Sequence, residues 1–103
     1  MIYTQQIDGI KLNIQTVDLS INDEVQESVK QMIKKLNRYV SEINWVDIHF
    51  KKESGQSTDN RMINVRLAIP GNDLFASVSG NHWIGLLKKA EQKLRKQISK
   101  RKK

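Results

Sequence analysis

Four short stretches of the chain alternate apolar with polar residues, and two longer ones repeat apolar residues every three or four positions. Ile10, Leu12 and Ile14 alternate with Lys11, Asn13 and Gln15, the two-residue period of a strand buried on one face. A helix start signal follows. Ser20 and Asp23 resemble a capping box with Asp in place of the usual Glu or Gln, and Asn22 is an equally good N-cap. Asp23, Glu24 and Glu27 occupy the early turns, where the helix dipole favours carboxylates. Val25, Val29, Met32, Ile33, Leu36 and Val40 then form one apolar stripe, while Lys30, Lys34 and Arg38, spaced four apart, line another face.

Three further strands are predicted. Val46, Ile48 and Phe50 alternate with Trp45, Asp47 and His49; Ile63, Val65, Leu67 and Ile69 alternate with Met62, Asn64, Arg66 and Ala68; Leu74, Ala76 and Val78 make the last. The polar stretch Lys51–Asn60 reads as a hairpin loop, and Pro70-Gly71-Asn72-Asp73 as a tight turn. A closing helix begins near Asn81–Trp83, with Ile84, Leu87, Ala90 or Glu91, Leu94 and Ile98 at helical spacing. Lys89, Lys93, Lys96 and Lys100 recur on its outer face.

The order β-α-β-β-β-α predicts a single α+β domain over residues 1–103, a four-stranded mixed sheet with both helices packed on one face. Such a layout is double-stranded-RNA-binding-domain-like. The opposite sheet face would carry Trp45, His49, Asn64, Arg66 and Phe75. Residues 1–9 are open to two readings: an N-terminal arm, or an extra strand Ile2–Ile7 turned back at Asp8-Gly9. Residues 99–103 read as a basic tail.

Charge narrows the picture. The 103 residues carry a net +7, but residues 1–85 hold nine bases against ten acids. From Leu86 onward nine bases face only Glu91, a net +8, so the last helix and tail hold the whole imbalance. Such asymmetry favours a polyanionic partner. A membrane surface fits less well, because the last helix turns its apolar stripe toward the sheet. With no cysteine there is no disulfide, thiolate nucleophile or Cys-ligated zinc. No leader peptide or membrane span is visible, which predicts a cytoplasmic protein.

No catalytic, metal or cofactor constellation emerges, and no small-molecule substrate is indicated. His49 and His82 lack partners at ligand spacing, and the five glycines form no phosphate loop. Trp45 and Phe75 are open to base stacking, or to packing at the sheet ends or under the N-terminal arm; with no aromatic pair on adjacent strands, packing is favoured. Two functional classes remain: phosphate contact with RNA through basic helix faces, or a small interaction module docking on an acidic protein partner.

The element order, the segment Pro70-Gly71-Asn72-Asp73-Leu74-Phe75-Ala76, the run Lys93-Leu94-Arg95-Lys96-Gln97-Ile98-Ser99-Lys100-Arg101-Lys102, and the patterns Leu12-Asn13-Ile14 and Lys35-Leu36-Asn37-Arg38-Tyr39 carry a family likeness. Over residues 10–103 the chain resembles the ribosome hibernation-promoting factors, also called sigma-54 modulation or ribosomal-subunit-interface proteins. The resemblance implies a cytoplasmic translation inhibitor of stationary phase or starvation. It would bind 16S ribosomal RNA in the tRNA–mRNA channel of the small subunit. The family's contact positions match Lys35, Lys93, Lys96, Lys100 and Lys102; Lys30, Lys34, Arg38, Lys89 and Arg101 join them by geometry. The chain would be a short form, without the C-terminal domain that pairs ribosomes in long members. It departs from the family at Ile84-Gly85-Leu86-Leu87-Lys88, where members often read Tyr-x-Ala-Ile-Asp.

Overall fold

A computed structural model describes residues 2–17, 19–40, 42–52 and 61–101. The first turn settles the reading of the N-terminus. Asp8 and Gly9 both take positive φ, 51° and 82°, which is the backbone of a two-residue hairpin turn whose twist matches paired strands. Strand β1 (Ile2–Ile7) therefore folds back on β2 (Ile10–Thr16), with Ile7 opposite Ile10 and Ile2 opposite Gln15.

Helix α1 (Asp23–Leu36) starts where Asn22 accepts the Val25 amide at 2.8 Å, so Asn22 rather than Ser20 is the cap. It buries Val25, Val29, Met32, Ile33 and Leu36; Val40 and Arg38 lie past its end. Strand β3 (Trp45–Lys52) then pairs parallel to β2, as a helical crossover requires. Strands β4 (Arg61–Ile69) and β5 (Asn72–Gly80) add on antiparallel, joined through Pro70-Gly71 with Gly71 at φ 90°. Helix α2 (Trp83–Arg101) closes the chain and includes Ser99, Lys100 and Arg101. Most of the proposed loop Lys51–Asn60, and Lys102 and Lys103, lie outside the described residues.

The sheet has five strands in the order β1-β2-β3-β4-β5. This corrects the four-stranded expectation and removes the double-stranded-RNA-binding-domain-like label. The physical reason is the Asp8-Gly9 turn, which gives Ile2–Ile7 a partner. The two helices cover one face. Leu12, Ile14, Val46, Ile48, Phe50, Ile63, Val65 and Leu67 from the sheet meet Val29, Ile33, Leu36, Leu87, Leu94 and Ile98 in one core. Phe50 and Trp83 meet edge to face with ring centroids 5.2 Å apart, seating the start of α2 on the sheet.

The edge at β5 is closed in an unusual way. Gln97 of α2 accepts the Phe75 amide at 3.3 Å and donates to the Phe75 carbonyl at 2.6 Å, taking the place of a neighbouring strand. Lys93 donates to the Ser77 carbonyl at 3.0 Å. An open strand edge is a template for unwanted pairing, and these side chains occupy part of it.

Candidate nucleic-acid interface

Strand directions fix how the helices lie. Strand β2 is parallel to β3, and two antiparallel steps make β5 parallel to both. Each helix returns along the sheet from the end of its strand, so α1 and α2 run side by side in the same direction. Their starts share one end of the layer, and α2, the longer helix, runs on past the end of α1. The α1 start is acidic, with Asp23 and Glu24, and its last turn carries Lys34 and Lys35. The α2 end carries Arg95, Lys96 and Lys100. The end of α1 thus meets α2 near Glu91 and Arg95, and α2 runs on past it with Lys96 and Lys100, each helix with cations toward its C-terminus as its dipole favours.

The cations do not all do the same job. Lys89, Lys93, Lys96 and Lys100 are exposed along the outer side of α2, and Lys34, Lys35 and Arg38 are exposed on and just beyond α1. Lys30 is half-buried. Lys35 lines the groove between the helices, facing Leu87, Lys88 and Glu91, while Lys30 and Lys34 lie round the helix from that groove. The Lys93 ammonium is turned toward β5 by its bond to Ser77. The side chain of Arg101, and all of Lys102, lie outside the described residues.

Among the described residues the ion pairs are Arg66–Asp73 and Arg95–Glu91. No carboxylate there lies within pairing distance of Lys34, Lys35, Arg38, Lys89, Lys96 or Lys100. An uncompensated cation line of this kind attracts polyanions and displaces their counterions. Sequence reasoning passed over Arg95. Its guanidinium stacks on Tyr39, 4.5 Å from the ring centroid, and ties the end of α1 to α2. Tyr39, Arg95, Lys96 and Ser99 wall a shallow groove there. The available signal was the i,i+4 pair Glu91/Arg95 beside an aromatic at the end of the first helix.

The open sheet face has a different character. Thr4 donates to Asn13 at 3.2 Å, and Asn13 donates to Asp47 at 3.0 Å, forming a polar rung across β1, β2 and β3. The same rung continues through Arg66 to Phe75. Arg66 chelates one Asp73 oxygen at 2.9 and 2.6 Å, with its guanidinium 5.0 Å from the Trp45 ring centroid and 5.5 Å from that of Phe75. Trp45 is half-buried, but Phe75 keeps 58 % of its surface exposed, so the packing expected of both aromatics holds for Trp45 alone. Among the described residues no cluster of His, Asp and Glu could hold a metal, and no helix is long and apolar enough to cross a membrane.

Residues 12–103 match the family described as sigma 54 modulation protein / S30EA ribosomal protein. A ribosome hibernation promoting factor from Acinetobacter guillouiae is 21 % identical over 100 residues, covering 91 % of this chain and 88 % of its own. Two solved structures share the fold. A ribosomal subunit interface protein from Coxiella burnetii superposes with a TM-score of 0.77 at 16 % identity, covering 88 % of this chain and 96 % of its own. The N-terminal domain of Thermus thermophilus Protein Y gives 0.69 at 18 % identity, covering 86 % and 92 %. The family match begins at Leu12, so β1 lies outside it.

Proposed function

Because the chain belongs to the sigma-54 modulation protein / S30EA ribosomal protein family, whose members are ribosome hibernation and subunit-interface factors, we propose that it silences translation by occupying the small ribosomal subunit. In this reading it sits in the tRNA–mRNA channel, in the cytoplasm, and its ligand is 16S ribosomal RNA. The contact surface is the outer side of α2 with the cationic end of α1. The observation that carries this reading is the unpaired line Lys89, Lys96 and Lys100 beside Lys34, Lys35 and Arg38. A structured RNA groove offers phosphates at spacings that such a line can meet without reading bases.

Co-sedimentation with purified small subunits tests it. Neutralising about six phosphates gives a slope of about −4 to −5 for log affinity against log salt. Lys89→Glu/Lys96→Glu/Lys100→Glu should abolish association and leave the circular dichroism spectrum unchanged. Lys93 is left alone because it also closes the β5 edge. Salt-insensitive binding, or survival of binding in the triple variant, refutes the assignment. Capture of an acidic protein after nuclease treatment, with no subunits bound, would also refute it.

A further inference from the structure

We infer that the open sheet face carries a second RNA contact, a seat for one unstacked nucleobase on Phe75; the inference rests on the RNA reading above. Exposure alone does not make a site, but here an exposed ring is held from several sides. Gln97 pins the Phe75 backbone through both its amide and its carbonyl. Arg66 lies against the ring and is itself fixed by Asp73 and Trp45. A rigid aromatic ring loses little conformational entropy when a planar partner stacks on it.

The surroundings suit a base rather than a phosphate. Phe75 borders a depression of about 310 Å³ that continues onto the next rung, His49–Asn64–Ser77. Ser77 donates to the Asn64 side-chain oxygen at 2.6 Å, which leaves the Asn64 amide N–H groups without a protein partner among the described residues. His49 is exposed beside it. These groups offer donors and acceptors at the edge of a planar ring. The Arg66–Asp73 pair cancels its own charge, and Asp47, which also lines the depression, accepts from Asn13 and is in neither ion pair among the described residues, so the seat does not suit a phosphate. A neutral heterocycle with hydrogen-bonding edges matches both the stacking surface and its rim.

Fluorescence anisotropy with end-labelled ribohexamers tests the idea on the full chain. The probes are oligoadenylate, oligouridylate and an abasic hexamer with the same phosphates. The base-bearing hexamers should bind more tightly than the abasic one, and Phe75→Ala should weaken them by roughly 5- to 150-fold, the range for one base–aromatic stack. Phe75→Tyr should keep the advantage, and the Asn64 side-chain amide resonances should shift only with base-bearing probes. Equal affinity for abasic and base-bearing hexamers overturns the inference. If that binding also disappears in the α2 triple variant, the helix-phosphate reading stands without it. If subunits fail to co-sediment yet Phe75 still confers base preference, the stacking seat stands and the ribosomal assignment falls. Loss of subunit association in Phe75→Ala with no base preference in hexamers would mean that the face holds a protein, and would likewise overturn the proposal.

Discussion

Replacing Gln97 with Leu isolates the closure of the β5 edge. The two side chains are similar in volume and helix propensity, so the substitution mainly removes the paired hydrogen bonds to Phe75. A net protein hydrogen bond contributes about 0.5–1.5 kcal/mol, and water can reach this exposed edge, so the pair should contribute about 1–2 kcal/mol. For a domain of this size that lowers Tm by about 5–10 °C. Stability alone would not single out the mechanism, because many substitutions cost as much.

Hydrogen exchange does single it out. Backbone groups alternate in direction along an antiparallel ladder, so with Phe75 turned outward, Leu74 and Ala76 turn inward to β4. In the native chain the Phe75 amide should exchange slowly for an edge position. In Gln97→Leu it should exchange about 10-fold faster or more, while Leu74 and Ala76 change only with global stability. The opened edge should also raise concentration-dependent association. A Phe75 amide that exchanges at the same rate in both proteins would refute the edge-closing role, whatever the change in Tm.

Three further substitutions probe local structure and packing. Gly85 is exposed in the first turn of α2, and a Cβ there meets nothing within 4 Å, so Gly85→Ala should stabilise the fold by about 0.5–1 kcal/mol in urea denaturation. Asn22→Ala removes the α1 cap and should cost about 1 kcal/mol, read as a lower urea midpoint at unchanged m-value. Leu94 is fully buried between α2 and the sheet; Leu94→Ala should cost about 2–5 kcal/mol and leave too little of a marginal domain's stability for normal yield.

Most of the architecture was legible because burial imposes a period. Leu12, Ile14, Val46, Ile48, Ile63, Val65 and Leu67 alternate and are all buried. The fifth strand was legible only as an alternative, since its one sequence signal was Asp8-Gly9, and a turn does not say whether the preceding residues find a partner. Edge closure was illegible. Gln97 sits on the polar side of an amphipathic helix, where any hydrophilic residue satisfies the pattern, and only three-dimensional register brings it to Phe75. The placement of the cations was half legible for the same reason. Spacing found the line on α2, but it gave no warning that Lys93 turns to the sheet edge, that Lys35 faces the interhelical groove, or that Arg95 binds Tyr39.

On the two proposals above, the two faces of one thin fold take separate tasks. A helix layer that buries its apolar stripe leaves its outer surface free for charge, and here cations line both helices toward their C-terminal halves. The sheet face behind it cannot do the same, because its central charges are already paired as Arg66–Asp73 and tied by hydrogen bonds through Asn13 and Asp47. What it presents instead is shape: a flat polar ladder with one fixed ring at its edge. Gln97 links the two layers. It belongs to the helix that carries the lysines, yet it sets the backbone of the residue that carries the ring. On those proposals, Gln97 should therefore support stacking on Phe75 without taking part in phosphate binding on α2. The Gln97→Leu variant should lose base preference in the hexamer assay while keeping its affinity for the abasic probe, and retention of that preference would show that the ring needs no support from the helix.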